Sequence, residues 1–167
     1  MKKEPIIVRL IRAFYYAFHF AMPPLTRLLS MLAKPDGIMA VPFGTNLVNS
    51  PVGASNAKMA DIMNELHAKF PHQKLIGQWE IEGLVPLDYV VGPKGSLHIT
   101  TRKFLEQVRE KFPDLKKVTL IAHPDHIFRV YKSARKLGFV PVVPEQVQQI
   151  PYDPTSIQLW CRYPWKM

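Results

Sequence analysis

The sequence predicts an α/β protein with a Rossmann-like, three-layer sandwich around a mostly parallel sheet, preceded by an N-terminal helical extension. Short apolar runs rich in β-branched residues alternate with segments of helical periodicity, and turn-forming residues separate them. Hydrophobic residues make up 47% of the 167 residues, which is enough for one core. Strands that alternate with helices favour a parallel sheet covered by helices on both faces.

The elements follow one another in the order βαββαβαβ. The predicted strands cover residues 38–43, 74–81, 87–91, 117–122 and 139–143, and the predicted helices cover 55–70, 100–112 and 126–137. Ser55 or Asn56 is expected to cap the first helix, and Pro71 ends it. Gly92 opens the turn after the third strand, and Gly138 closes the last helix.

Composition divides the chain into three parts. A basic and aromatic helical anchor is expected at residues 1–35, the Rossmann-like domain at 36–144, and a proline- and glutamine-rich C-terminal tail at 145–167. The turn-forming residues from Lys34 to Gly37 mark the first boundary, because a lysine, a proline, an aspartate and a glycine follow one another there.

Residues 2–33 differ from the rest of the chain, because basic residues precede an uncharged stretch rich in phenylalanine and tyrosine. Pro23 and Pro24 interrupt the pattern, so we expect two short helices, neither long enough to span a bilayer. Such a segment suits a membrane interface, packing on its own domain or another protein, or mitochondrial targeting. The expected location is therefore cytoplasmic or inner-membrane-associated, with mitochondrial as the alternative. The residues expected to contact a membrane or a protein assembly are Arg9, Arg12, Phe14, Tyr15, Phe18 and Arg27, within the range 5–33.

The net charge of +9 favours an anionic partner, such as a small anionic molecule, an acidic protein or anionic lipid. Nucleic acid is not expected, because the chain has neither a Lys/Arg run nor a basic stretch interleaved with aromatic residues. The single cysteine, Cys161, excludes an intramolecular disulfide. His123 and His126 could suggest a metal site, but zinc needs a third or fourth ligand, so no metal is expected.

Loops that follow parallel strands meet at one edge of the sheet, where ligands bind in open α/β folds. The ligand-binding residues expected at this edge are Gly44, Ser96, Thr101, His126 and Arg129. His126 and Arg129 are three residues apart at the start of a helix and so lie on one face, where they could hold an anion. The alternative interpretation is that Ser96 and Thr101 only cap a helix and that His126 and Arg129 are ordinary surface residues. The chain has no GxGxxG, P-loop or GxSxG pattern, so the sequence names neither a catalytic residue nor a cofactor.

Several segments between residues 36 and 160 resemble the SanA/ElyC/YdcF-like domain of unknown function, which is widespread in bacteria. The similar segments are an aspartate and an apolar strand ending in glycine (36–44), a turn with Ser96, Thr100 and Thr101, the H-x-x-R pattern His126-Ile127-Phe128-Arg129, and a tail with Ser156 and Trp160. The resemblance implies a Rossmann-like fold, frequent membrane association and roles linked to the bacterial envelope. Three loop motifs are altered: Lys103, His123 and residues 79–83 stand where the family usually has other residues.

The altered loops favour a non-catalytic accessory or scaffold protein. In this interpretation the N-terminal helices dock the protein to a membrane or a larger assembly. The alternative is a ligand-binding or transferase-like protein that uses an anionic ligand, for example of the nucleotide type, at the sheet edge.

Overall fold

A computed structural model describes residues 34–44, 52–92 and 99–163 of the chain. The chain divides into two units, Met1–Lys34 and Pro35–Met167, and the second unit contains every element described below. The two predicted N-terminal helices, and the contacts expected of residues 5–33, lie outside the described residues.

The second unit is built on a five-stranded sheet in which every strand pair is parallel. The strands are β1 (Gly37–Ala40), β2 (Lys74–Gln78), β3 (Tyr89–Val91), β4 (Lys117–Ile121) and β5 (Val140–Val142). Their order across the sheet is β3-β2-β1-β4-β5. The first strand, β1, therefore lies at the centre of the sheet. The next two strands extend the sheet to one edge, and β4 and β5 extend it to the other. The crevice between β1 and β4, where the connections leave in opposite directions, is where such folds bind ligands.

Three helices connect the strands: α1 (Ala54–Lys69), α2 (Thr101–Lys111) and α3 (Pro124–Lys136). Right-handed crossovers place α1 on one face of the sheet and α2 and α3 on the other, where the last two pack on each other. Ile38 and Ala40 of β1 pack with α1, while Met39 between them is buried on the opposite face. The predicted Rossmann-like sandwich is confirmed. None of the helices within the described ranges has the length and apolar character that a membrane span needs.

The strands are shorter at their carboxyl ends than the sequence pattern predicts. Residues 41–43 form a loop, although they continue the apolar run of β1. Residues Trp79–Ile81 turn into a short 3₁₀ helix after β2. Val41, Phe43 and Ile81 are buried although they follow the paired residues, so hydrophobicity alone could not locate where pairing stops.

The predicted caps of α1 are wrong. Gly53 precedes the helix and offers no side-chain cap, while Ser55 and Asn56 lie inside the first turn and are buried. The Ser55 hydroxyl donates to the carbonyl of Pro151 at 2.6 Å, and Asn56 binds the loop after β1. Both side chains thus form tertiary rather than local hydrogen bonds, which a capping pattern cannot distinguish.

The C-terminal tail packs against the sheet on the side of α1. It contains two 3₁₀ helices, Glu145–Gln149 and Leu159–Cys161. Val147, Ile150 and Cys161 are buried in the same apolar cluster as Met59 of α1. The tail therefore supplies one wall of the crevice at the carboxyl ends of the strands.

Candidate functional site

A cavity of about 390 Å³ opens at the carboxyl ends of β1 and β2 and beside the first turns of α2 and α3. This volume lies within the range of small-molecule sites. Its walls come from the loop after β1 (Val41, Pro42, Phe43, Gly44), the segment after β2 (Gln78, Glu80), the start of α2 (Ile99, Thr100, Thr101, Arg102), α3 (His126, Arg129, Ser133) and the tail (Gln158, Trp160, Cys161).

Four of the five residues expected to bind a ligand line this one cavity: Gly44, Thr101, His126 and Arg129. Ser96, the fifth, lies outside the described residues. Residues 44, 101 and 126 are far apart in the sequence, and the strand order brings them together. Across the described part of the chain, no group of three or more His, Cys, Asp and Glu side chains is placed to hold a metal ion.

A directed chain of hydrogen bonds runs through the cavity wall. Arg129 Nη2 lies 2.8 Å from His126 Nδ1, and His126 Nε2 lies 3.1 Å from Thr101 Oγ1. A guanidinium can only donate, so Nδ1 accepts, and a neutral ring then carries its proton on Nε2. The imidazole therefore donates to Thr101. The Thr101 hydroxyl keeps its own proton, which can be donated to an acceptor in the cavity.

His126 stays neutral because it is buried. Burial, followed by the charges of Arg129 and His123, lowers the pKa of His126 to about 3. The residue is only 7% exposed. The hydrogen-bond direction derived above consequently holds across the physiological pH range.

Two helix N-termini border the same space. Thr100 caps α2, and its hydroxyl accepts from the backbone N–H of Lys103 at 3.2 Å. His123 caps α3, and its Nδ1 accepts from the backbone N–H of Asp125 at 3.2 Å. Because Thr101 and His126 sit in the first turns of these helices, the positive ends of both helix dipoles lie beside the cavity.

The loop after β1 is held rigidly at the centre of the site. Asn56 Oδ1 accepts from the backbone N–H of Phe43, and Asn56 Nδ2 donates to the carbonyl of Gly44, both at 3.0 Å. The Phe43 ring stacks on the His123 ring with 4.0 Å between centroids. Gly44 has a φ of +94°, which glycine adopts at little cost. The backbone of this loop therefore favours glycine at position 44.

Cys161 faces the cavity as a protonated thiol. Burial and the nearby Asp153 carboxylate raise the pKa of Cys161 to about 12, and Arg129 offsets this only in part. The thiolate is the reactive form of cysteine, so this side chain is a weak nucleophile near neutral pH.

Sequence reasoning missed three residues that shape the site. The sequence pattern predicts a helix cap at Asn56, gives Cys161 no role beyond a disulfide, and includes Glu80 in a strand. Glu80 could have been found, because it directly follows β2 and residues at strand carboxyl ends reach the crevice. Cys161 lines the cavity, and Asn56 binds the loop that lines it, through tertiary packing that no local pattern encodes.

No model of a known protein family matches the chain, and neither a curated protein nor a solved structure is detectably similar to it.

Proposed function

We propose that this protein binds a small anionic ligand, carrying a phosphate or carboxylate group, in the cavity at the carboxyl ends of β1 and β2. The observation that supports this most strongly is the directed chain from Arg129 through His126 to Thr101. Each member donates to the next, so the chain ends in a hydroxyl proton offered to the cavity. An acceptor-rich group completes that arrangement, whereas a donor-rich group would oppose it.

Charge complementarity supports the same ligand class. The Arg129 guanidinium has five N–H donors, and the bond to His126 occupies one of them. The Arg129 side chain is exposed, so its remaining donors can reach a ligand, bidentately where the ligand is a phosphate or carboxylate. The two helix N-termini beside the cavity add a favourable potential for negative charge.

Binding without catalysis fits the chemistry of the cavity wall better than a transferase does. Both ring nitrogens of His126 are engaged in hydrogen bonds, and its low pKa makes it a poor proton carrier near neutrality. The Cys161 thiol is protonated. These two groups therefore provide structure and hydrogen bonds rather than general-base or nucleophilic chemistry.

An accessory role is the second part of the proposal. The basic and aromatic composition of residues 2–33 supports docking to a membrane surface or a larger assembly, with Arg9, Arg12 and Arg27 supplying positive charge. The resemblance to SanA/ElyC/YdcF-like domains supports the same role. The protein would then bring an anion-binding domain to that surface.

The test is calorimetric titration of the full chain with inorganic phosphate and with pyrophosphate, at constant ionic strength. Arg129→Ala should weaken binding at least about tenfold, because it removes a charge-assisted contact. Lys132→Ala is the matched control, since Lys132 lies on the same helix and is exposed, with its Nζ over the Phe128 ring. Equal losses in the two variants would mean that only net charge matters and would overturn the proposal.

Thr101 provides a second, charge-neutral test. Thr101→Val keeps the shape of the side chain but removes the hydroxyl donor, whereas Thr101→Ser keeps the donor. The valine variant should bind phosphate more weakly, and the serine variant should bind like the unchanged protein. Identical binding by both variants would show that the hydrogen-bond chain does not end on the ligand.

A further inference from the structure

The cavity is larger and chemically more varied than a simple anion requires. Its volume of about 390 Å³ exceeds the space that an inorganic phosphate fills. Besides Arg129 and Thr101, a carboxylate side chain, Glu80, and an indole, Trp160, line it. These two side chains indicate what the rest of the ligand must carry.

Glu80 follows β2 directly, in the 3₁₀ helix Trp79–Ile81, and its side chain is partly buried at the cavity wall. A carboxylate accepts several hydrogen bonds, so an existing partner leaves acceptor capacity for a ligand. The same carboxylate repels an anion. The ligand's anionic group therefore belongs near Arg129, and the part beside Glu80 should present hydrogen-bond donors.

Hydroxyl groups fit this position best among the possible donors. In nucleotide-binding α/β folds, an acidic side chain after the second strand of the sheet accepts from the hydroxyls of a ribose. Glu80 has this position relative to β1 and β2. The neighbouring Gln78 amide, which also lines the cavity, can both accept and donate.

Trp160 supplies a flat apolar surface. The residue is 51% exposed although it lines the cavity. An indole in this situation is suited to stacking on a planar ring. Leu159, its neighbour, is 69% exposed and does not line the cavity.

We infer that the ligand is a ribonucleotide, whose phosphate binds at Arg129 and Thr101, whose ribose hydroxyls bind Glu80, and whose base stacks on Trp160. This inference rests on the proposed anion site and adds the class of molecule that carries the anion. The three contacts use three chemically different walls of one cavity, and a ribonucleotide carries all three matching groups.

The test is titration of the full chain with inorganic phosphate, ribose 5-phosphate, adenosine monophosphate and its 2′,3′-dideoxy analogue. Adenosine monophosphate should bind at least about tenfold more tightly than phosphate, with ribose 5-phosphate in between. The dideoxy analogue should bind several-fold more weakly than adenosine monophosphate. Glu80→Gln should reduce the preference for adenosine monophosphate over its dideoxy analogue. Glu82→Gln should retain this preference, because Glu82 is an exposed acidic residue just after the 3₁₀ helix.

The aromatic contact has its own matched pair of variants. Trp160→Ala should weaken the binding of adenosine monophosphate but not that of ribose 5-phosphate. Leu159→Ala should leave the binding of both ligands unchanged. The inference is overturned if adenosine monophosphate binds no better than phosphate, if the dideoxy analogue binds equally well, or if phosphoethanolamine binds more tightly than ribose 5-phosphate. Phosphate binding that still depends on Arg129 would in these cases leave the anion site standing. Absence of binding by every phosphate-bearing probe would overturn both proposals.

Discussion

Asn56 donates to the carbonyl of Gly44 at 3.0 Å, and so joins the first turn of α1 to the loop that forms the floor of the cavity. The same amide accepts from the backbone N–H of Phe43. One side chain therefore satisfies two backbone groups, the Phe43 N–H and the Gly44 carbonyl, in a buried loop that has left the sheet.

Asn56→Ala should lower the free energy of unfolding by about 2–4 kcal/mol, because it leaves a buried N–H and a buried carbonyl without their partner. Phosphate binding should weaken as well, since the loop loses its anchor. Asn64→Ala is the matched control. Asn64 lies on the same helix, and its amide donates an exposed hydrogen bond to the backbone carbonyl of Leu84. Chemical denaturation of the two variants measures their free energies of unfolding, and calorimetric titration measures their phosphate binding. Similar losses in the two variants would show that the Asn56 bonds contribute no more than a surface bond.

Gly44→Ala should destabilise the protein more than Gly83→Ala. Both glycines have a positive φ, so either substitution strains the backbone by about 1–3 kcal/mol. At Gly44, a Cβ would also lie 2.7 Å from Ser156 Oγ, whereas at Gly83 nothing lies within 4 Å. Ser156 is buried and its Oγ accepts from the N–H of Gln158, so it cannot simply move aside. Thermal denaturation should show the larger loss for Gly44→Ala, and equal losses would contradict the tight packing of the tail on the loop.

The overall fold could be predicted because each strand and helix carries its own local pattern. The alternation of apolar runs and helical periods, together with right-handed crossovers, leaves few arrangements other than a parallel sandwich. The strand ends could not be predicted, because buried apolar residues such as Val41 and Ile81 continue the hydrophobic pattern beyond β1 and β2.

The rule that loops after parallel strands meet at one sheet edge predicted four residues that line the cavity. The contacts between these residues could be predicted only where spacing within one element places side chains together. His126 and Arg129 are three residues apart, and the structure joins them at 2.8 Å. The contact of His126 with Thr101 spans 25 residues and depends on the sheet order, which the sequence leaves open. The lowered pKa of His126 could not be foreseen either, because it follows from burial that only the packed structure defines.

The N-terminal segment should attract the protein to anionic surfaces. Arg9→Glu combined with Arg12→Glu should weaken co-sedimentation of the full chain with anionic phospholipid vesicles by about tenfold or more, since each basic residue contributes roughly 1 kcal/mol near such a surface. Lys132→Glu combined with Lys136→Glu changes the net charge equally and is the control; both lysines are exposed on α3. Equal losses in the two variants would contradict a specific role of residues 5–33. A full chain that does not sediment at all would contradict the membrane interpretation and favour a protein partner.

Stability should fall as the pH drops below about 6.5, because His126 resists protonation in the folded protein. Its pKa is lowered from 6.5 to about 3, so between these values the unfolded chain binds a proton that the folded chain does not. The contribution of His126 to the free energy of unfolding is fully present above pH 6.5. It decreases by up to about 1.4 kcal/mol per pH unit until about pH 3.

Other groups also titrate in this range, so the comparison must isolate the imidazole. His126→Gln keeps an acceptor for Arg129 and a donor for Thr101 but cannot be protonated. The free energy of unfolding of the unchanged protein should therefore decrease more steeply than that of the variant when denaturation is measured between about pH 7 and about pH 4.5. If the free energies of unfolding of the two proteins change with pH in parallel, the interpretation of His126 as a neutral, buried imidazole is wrong. The donor direction from Arg129 to Thr101 would then lose its basis, because a protonated ring could not accept from Arg129.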